Sequence, residues 1–463
     1  MAIGAASLIL PVENLVRELD AKLLLACAAA ERGFTSILGY RTQIDFRIAG
    51  LPRSIYLSKS MTPKSAKMFR ILRRLGHEVA VGDEEALVYF SPEIYHARRM
   101  SSRTLPLVSM LLAWGDDNVE LWRKHPDYRG TPIHAVGNPR VDLLRPELAG
   151  FFEEEVRRIR ERFGRFVLVN SNFGMVNAFL DTFNVFRKPA TPGGEAEPGT
   201  AARGTSPEFA RGYAAHKSAL FRGFQTMLPD LAAAHPGFNF VVRPHPVERR
   251  EPWLDAARSL PNVHVVHEGN VVSWLRAASG LIHNGCTTAV EAAVVGTPAI
   301  TYRPVRAATY DLELPNGLGH EVATSDELCE TVGRVLRGEL GCAAGAGPRP
   351  LSEYLAALDG PLAADRIVEV LERSESARSG LPRPPLHDQL RGWFDAKRRS
   401  FVKQVIKARI PGHRNTPAFQ RHRFEGVSVG ELRARIARLG RALGRFGGVE
   451  VEPIAEHIFR VRT

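Results

Sequence analysis

The segments FNFVVRPHPVE, residues 238–248, and LIHNGCTTAVEAAVVGTPAIT, residues 281–301, decide the fold. Each opens as an apolar strand (Phe238, Phe240, Val241 and Val242 in one, Leu281 and Ile282 in the other) and stops at a polar turn. The second turn opens a helix rich in small residues. Two such strand ends are expected side by side at the carboxyl edge of a parallel sheet, where α/β proteins bind nucleotides.

Around these segments the chain keeps alternating strands with helical patterns. RFVLVNSNFG (165–174), NVHVVHEG (262–269) and PAITYRP (298–304) extend the series, which predicts a Rossmann-like unit. An earlier series does the same: SLILPV (7–12), TSILGY (35–40), RSIYLS (53–58), HEVAV (77–81), VSMLLAWG (108–115) and PIHAVG (132–137). RELDAKLLLACAAAERG (17–33) and SAKMFRILRRLG (65–76) read as helices between them. The expected domains are residues 1–142, a Rossmann-like acceptor domain, and 143–375, a Rossmann-like nucleotide-sugar domain. A basic helical tail, 376–463, follows. KPATPGGEAEPGTAARGTSPE (188–208) is rich in breakers and reads as a mobile insert.

The 463 residues exceed one ordinary core, which agrees with two domains and an appendage. No apolar run reaches the ~18–20 residues that span a bilayer, and no signal peptide is expected. Cys27, Cys286, Cys329 and Cys342 lie far apart without zinc spacing, which suits a reduced cytoplasm. From Leu381 to Thr463 there are 18 Lys and Arg against 7 Asp and Glu, so +11 of the formal +12 sits in the tail. That asymmetry points to an anionic surface. SVGE (428–431) has capping-box form, with Leu432, Ile436, Leu439 and Leu443 at helical spacing behind it. GWFDAKRRSFVKQVIKARI (392–410) mixes Trp393, Phe394 and Phe401 with Lys and Arg. Such helices either lie on anionic lipid or pack on the body with a solvated basic face.

Arg243-Pro244-His245-Pro246 is a stiffened turn that presents a His beside an Arg. Both can donate hydrogen bonds to a phosphate, and His can protonate a leaving phosphate. The bland alternative is a proline-bounded surface turn. In HNGCTT, Gly285 permits a tight turn after Asn284, and Thr287 and Thr288 place hydroxyls beside the first N–H groups of a helix. They either hold an anion or simply cap the helix, with Glu291 completing a capping box or accepting from ribose hydroxyls.

Paired α/β halves with RPHP and HNGCTTAVEAAVVGTPAI resemble the GT-B glycosyltransferase architecture, two Rossmann-like domains facing a cleft. The motifs are similar to those of the CMP-sugar sialyl- and Kdo-transferases and the CDP-glycerol glycerophosphotransferases, which also show a GNPRxD-like segment (here Gly137 to Asp142). PVENLVRELDAKLLLACAAAERGF, LPRSIYLSKSMTPKSAKMFRILRRLGHEV and GNPRVDLL look like the bacterial surface carbohydrate biosynthesis proteins, over roughly residues 7–310. The resemblance implies that His245 contacts the donor phosphate, Thr287 and Thr288 hold it, and Glu291 faces the nucleotide sugar. Arg17, Asn170, Ser171, Asn172, Arg243, Asn284 and Gly285 complete the expected binding set.

The acceptor base is expected in the first domain. Glu18 leads, then Glu84 or Glu85, with Asp20 beside Glu18; adjacent carboxylates in Asp83-Glu84-Glu85 repel, which can raise one pKa. Each also has a structural reading as a helix-start acid. Lys59 and Lys64, flanking SMTP, are further candidates for the cleft. No metal site and no cofactor is expected. The chain therefore reads as a cytoplasmic, metal-independent glycosyltransferase that moves a Kdo-like or other nonulosonate sugar from a CMP-activated donor to a glycan or lipid-linked acceptor of surface polysaccharide. Its tail would sit on the inner membrane. A UDP-sugar 2-epimerase, a CDP-glycerol-type phosphotransferase and a non-catalytic assembly partner are the alternatives; nucleic acid is not an expected partner, for lack of a stacking platform.

Overall fold

A computed structural model describes residues 7–187, 196–343, 349–410, 413 and 415–463. The chain divides into two compact units: Met1–Leu87 with Tyr95–Phe151 and Ser352–Thr463, and Val88–Ile94 with Phe152–Leu351. Among the described residues no helix is long and apolar enough to cross a membrane.

The first unit begins with six parallel strands, β1 (Ser7–Val12), β2 (Thr35–Tyr40), β3 (Ile55–Ser58), β4 (Glu78–Val81), β5 (Met110–Ala113) and β6 (Ile133–Ala135), in the order β2-β1-β3-β4-β5-β6. The order reverses between β1 and β3, the switch point at which doubly wound sheets open a crevice. β1 and β3 are buried almost throughout, since helices cover both faces of a parallel sheet. Helix Leu15–Glu31 follows β1, capped by Asn14, whose side chain accepts from Arg17 N–H; it is buried over most of its length. In the GNPRVD segment, Asp142 is wholly buried and accepts the N–H groups of Ala363 and Ala364 at 2.8 and 2.9 Å, holding the start of helix Ala363–Arg373. Burial pushes its carboxyl up to about 7 despite those two donors.

The second unit carries β7 (Phe166–Asn170), β8 (Asn239–Arg243), β9 (Val263–Val265), β10 (Gly280–His283), β11 (Ala299–Tyr302) and β12 (His320–Val322), all parallel, ordered β12-β11-β10-β7-β8-β9. In chain order this is the dinucleotide-fold arrangement, with its switch point between β7 and β10. Alternate residues feed two cores. Val167, Val169, Phe240 and Val242 meet Phe224, Leu228 and Trp253 on one face, while Phe166, Leu168 and Val241 meet Trp274 and Leu275 on the other. Each large side chain so buried contributes about 1.5–3 kcal/mol. Both halves are thus the Rossmann-like units expected, but β8 and β10 are not neighbours: β7 lies between them. The two motif-bearing strands flank the first strand of the unit, because the order of the sheet reverses around it.

Of the expected mobile insert, residues 188–195 lie outside the described residues. Within the remainder, Pro198 bridges to Phe186, Thr200–Ala202 makes a turn, and Ser206 caps helix Pro207–Ala234, which takes in the insert's last two residues.

The C-terminal segment belongs to the first unit. It contains the expected helices, Leu386–Phe401 and Val429–Leu443, and Ser428 and Glu431 form the capping box. Its end departs from an all-helical tail. β13 (Glu450–Ala455) and β14 (Ile458–Arg462) make a hairpin, and β14 pairs antiparallel with β2, extending the sheet to eight strands. β2 would otherwise be an open edge. The approach is close, since a Cβ on Gly39 would stand 2.3 Å from the His457 carbonyl oxygen.

Candidate functional site

At the carboxyl edge of the second unit, three loops leave neighbouring strands. The turn after β7, Asn170 to Gly174, lies between the RPHP turn after β8 and the HNGCTT turn after β10, and it is bonded to both. The Ser171 hydroxyl accepts the His245 N–H at 3.2 Å, and Asn172 Nδ2 donates to the Gly285 carbonyl at 2.9 Å. The expected motifs therefore stand two strands apart, about 10 Å, joined through a loop at the switch point.

Glu248 organises the RPHP turn. Buried at the end of the quoted segment, it accepts from the Ser171 hydroxyl and Phe173 N–H, each at 2.8 Å, and from Trp253 Nε1–H at 3.1 Å. Burial raises its pKa, against those donors, which favour the charged form. His245 Nδ1 accepts the Val247 N–H at 3.3 Å, which places the proton of the neutral ring on Nε2. Arg243 is committed otherwise than expected. Its guanidinium donates to the carbonyls of Glu268 and Gly269 at 3.0 and 2.9 Å and lies over Trp274 at 5.5 Å, so it braces the loop after β9. Burial lowers it to about 10, with Glu291 and Glu268 pulling upward, and it keeps its charge at neutral pH.

The HNGCTT turn is built around Gly285, whose φ of +52° is strained for other residues. Its N–H donates to Asn316 Oδ1 at 2.7 Å. Asn284 donates from Nδ2 to the Tyr302 carbonyl at 3.0 Å, a link from this turn to β11. Helix Thr288–Val295 has Thr287 at its N-cap with no side-chain cap bond, so neither the simple cap nor the Thr288–Glu291 capping box forms. Thr287 and Thr288 are partly exposed, and Glu291 is buried within the electrostatic reach of Arg243. Asn170 Oδ1, His283 Nδ1 and Asn316 Nδ2 are among the buried side-chain atoms at this edge that have no hydrogen-bond partner. An unmet buried polar group costs about 1–3 kcal/mol, a cost tolerated where a ligand meets it. His283 is neutral, lowered to about 3 by burial.

Reading the motifs alone does not find Lys217. It lies on helix Pro207–Ala234, 3% exposed, and its ammonium is 5.9 Å from the Phe173 ring centroid. Burial lowers its pKa to about 8, and Asp311, Cys286 and Glu248 are the groups whose charge it feels. A buried cation beside the loop after β7 has the chemistry to meet an anion.

In the first unit, Glu18 follows β1 and Lys59 follows β3, so their ion pair at 2.6 Å spans the switch point. Glu18 also accepts the Glu13 N–H at 2.8 Å, and Lys59 pairs with Glu13 at 3.0 Å. The Asp20 carboxylate pairs with Arg435 of the C-terminal helix at 2.5 Å, a contact that ties that helix to helix Leu15–Glu31. In the DEE cluster the pKa values of Glu84 and Glu85 are lowered, not raised. Burial pushes Glu84 upward, but Lys22 at 3.9 Å and Arg140 at 3.4 Å outweigh it, and the net shift is down. Glu85 pairs with Arg17 at 3.3 Å, and Asp83 is held by Arg99 and by Tyr95 OH at 2.9 Å. Cations interleaved with the carboxylates reverse the expected repulsion.

No protein-family model and no curated protein matches this sequence. Among solved structures, UDP-GlcNAc 2-epimerase of Methanocaldococcus jannaschii is similar at 13% identity, over 80% of this chain and 100% of that one, with a TM-score of 0.47. The Neisseria meningitidis UDP-GlcNAc 2-epimerase gives the same identity, coverage and TM-score. The wall teichoic acid polymerase TagF is similar at 10% identity, over 80% of this chain and 89% of that one, with a TM-score of 0.49. At these identities no residue role passes from those enzymes to this chain.

Proposed function

We propose that the chain is a nucleotide-sugar-dependent glycosyltransferase whose second unit binds a CMP-activated donor, with a Kdo-like or other nonulosonate sugar, and transfers that sugar to a surface-polysaccharide acceptor. One observation carries the reading: the RPHP and HNGCTT turns are bonded through Ser171 and Asn172 to the loop at the switch point of a dinucleotide-fold sheet. In this reading His245 donates from Nε2 to the leaving phosphate, Thr287 and Thr288 hold it at the start of their helix, and Lys217 supplies a cation. Glu291 takes the ribose. Asn170 and Asn316 gain the partners they lack. Arg243 and Ser171 act as positioning residues. Within the first unit we assign Glu18, in preference to Asp20, Glu84 or Glu85, to the acceptor hydroxyl, because it alone of the four stands at that unit's switch point. The preference for cytidine rests on the resemblance of the RPHP turn to that of CMP- and CDP-dependent enzymes.

The test is thermal shift with CMP, CDP, UDP and GDP, on the wild type and on His245→Ala. Stabilisation by the cytidine nucleotides is expected, with an affinity that the substitution lowers at least tenfold. A UDP preference would move the assignment to a 2-epimerase. No shift with any of the four would remove the nucleotide site altogether.

A further inference from the structure

The two basic amphipathic helices of the C-terminal segment have different fates. Val429–Leu443 is docked. Leu432, Ile436 and Leu439 are buried, Arg435 pairs with Asp20, and Arg438 lies over Phe151. It is the helix packed on the body. Leu386–Phe401 is held only along one side. Gly392, Ala396 and Ser400 are buried, and a Cβ on Gly392 would meet the Arg74 Cβ at 2.8 Å. Arg74–Asp395 at 2.8 Å and Arg399–Asp45 at 3.0 Å clamp the same side.

The opposite side carries Leu386, Leu390, Trp393, Phe394 and Phe401, exposed by 70, 61, 48, 62 and 59%. At about 100° per residue these fall within an arc of roughly 100°. Lys397 rises from the middle of that arc, its ammonium 5.6 Å from the Trp393 ring centroid, and exposed Arg391 and Arg398 border it. Exposed Ile406 and Ile410 continue the apolar residues, with Lys407 and Arg409 beside them. Seven of the twelve large apolar residues exposed among the described residues lie between positions 386 and 410, so the exposure is concentrated in one place. A depression of about 520 Å³ adjoins them, lined by Ile48, Leu51 and Leu75 together with Leu386, Leu390 and Trp393.

We propose that this fixed face of Leu386–Phe401, continued to Ile410, docks on an anionic lipid surface. Two features select lipid as the occupant. The segment 386–410 carries seven Lys and Arg against two Asp, which complements anionic headgroups. The aromatic and aliphatic residues lie on one arc with basic side chains within it and along its border, the pattern of a helix lying in the plane of a bilayer interface. The ion pairs to Arg74 and Asp45 hold that arc outward without membrane, so no folding step precedes docking. The inference does not depend on the nucleotide reading, and failure of either leaves the other standing.

Flotation of the full chain with vesicles tests it. With vesicles of 70:30 phosphatidylcholine:phosphatidylglycerol, association should exceed that with pure phosphatidylcholine by at least tenfold and fall as salt is raised. Trp393 reports the event directly. Trp114, Trp122, Trp253 and Trp274 are buried, so a blue shift of emission on adding anionic vesicles comes from Trp393. The triple variant Leu390→Ser, Phe394→Ser, Phe401→Ser should lower partitioning about a hundredfold or more, with the far-ultraviolet circular dichroism and melting temperature of the wild type. Equal binding to neutral and anionic vesicles, or unchanged binding by the triple variant, would overturn the proposal. So would a concentration-dependent dimer in sedimentation that the triple substitution disperses, since that assigns the face to a second copy of the chain.

Discussion

Replacing Lys217 with Met separates a binding role from a structural one, because the two roles predict opposite effects. Met keeps the length and apolar stem of lysine and removes the ammonium. Burial lowers that ammonium from 10.5 to about 8, and at ~1.4 kcal/mol per pH unit the native state carries a charge at pH 7 at a cost of about 3 kcal/mol. In urea without nucleotide, Lys217→Met should therefore be more stable than wild type by roughly 2–4 kcal/mol at pH 7. If the ammonium meets a phosphate, the same substitution removes a charge-assisted hydrogen bond and lowers CMP affinity about 10–100-fold by calorimetry. pH gives a second readout. The unfolded chain holds the Lys217 proton up to 10.5 and the native state only to about 8, so wild-type stability should gain from this group as pH rises across that window. Nucleotide affinity should fall over the same rise, as the free protein loses the cation. Lys217→Met should flatten both. Loss of stability would refute the argument by showing the ammonium paired with Glu248 or Asp311, and a gain in stability with unchanged CMP affinity would refute the binding role.

Two further predictions concern the framework of each unit. Glu248→Gln keeps an oxygen for Ser171 and Phe173 but turns an amide N–H₂ toward Trp253 Nε1–H, at a cost of about 1–3 kcal/mol. Because burial raises the native pKa, the wild type loses stability from this group as pH rises above the unfolded value of 4.5, and the glutamine does not. The penalty in urea should therefore be larger at pH 5 than at pH 7.5, and a penalty that grows with pH would refute the assignment. Gly39→Ala puts a methyl 2.3 Å from the His457 carbonyl and 2.8 Å from Ile458 Cα, both backbone atoms of the hairpin, at a cost of about 1–3 kcal/mol. Hydrogen exchange should quicken in β13 and β14 and stay unchanged in β7 to β12; equal protection throughout would mean that the hairpin contributes little to the first unit's sheet.

The strands were legible because a parallel sheet covered on both faces needs continuous apolar runs, and SLILPV, TSILGY and RFVLVN can hardly be anything else. Strand order was not legible, so the place of β7 between the two motif-bearing strands could not be read from the motifs. Side-chain commitment was also hidden. Arg243 and Asn284 sit inside the motifs, yet their partners are carbonyls of Glu268, Gly269 and Tyr302 on other loops and strands. Lys217 did leave a signal. Tyr213, Lys217, Leu220 and Phe224 share one helical stripe, and all four are buried, so a lysine stood on a core face. Glu248 left none, since PVERREPW (246–253) has the charge density of an exposed loop.

The C-terminal segment shows why a charge tally misleads. Counting places +11 after Gly380 and leaves the rest near neutral, as if a basic tail were appended to a balanced body. The structure shows instead that part of the tail's charge is paired with that body. Asp20 answers Arg435, Asp45 answers Arg399, and Glu31 and Asp365 both answer Arg445, so acids of the first unit are matched to bases of the tail. The hairpin follows the same logic at closer range. Glu452 faces Arg460 at 2.7 Å across β13 and β14, while Val451, Ile458 and Val461 point into the core. Only EVE (450–452) and FRVR (459–462) alternate polar with apolar residues, too short a run to mark strands among so many charges. With these pairs assigned, the exposed arc of Leu386–Phe401 and its continuation stand out. There, among the described residues of the tail, Lys397, Lys407 and Arg409 lie beside large exposed apolar side chains. That combination of charge and apolar surface, and not the tail's total charge, is the ground for the proposed docking on an anionic surface.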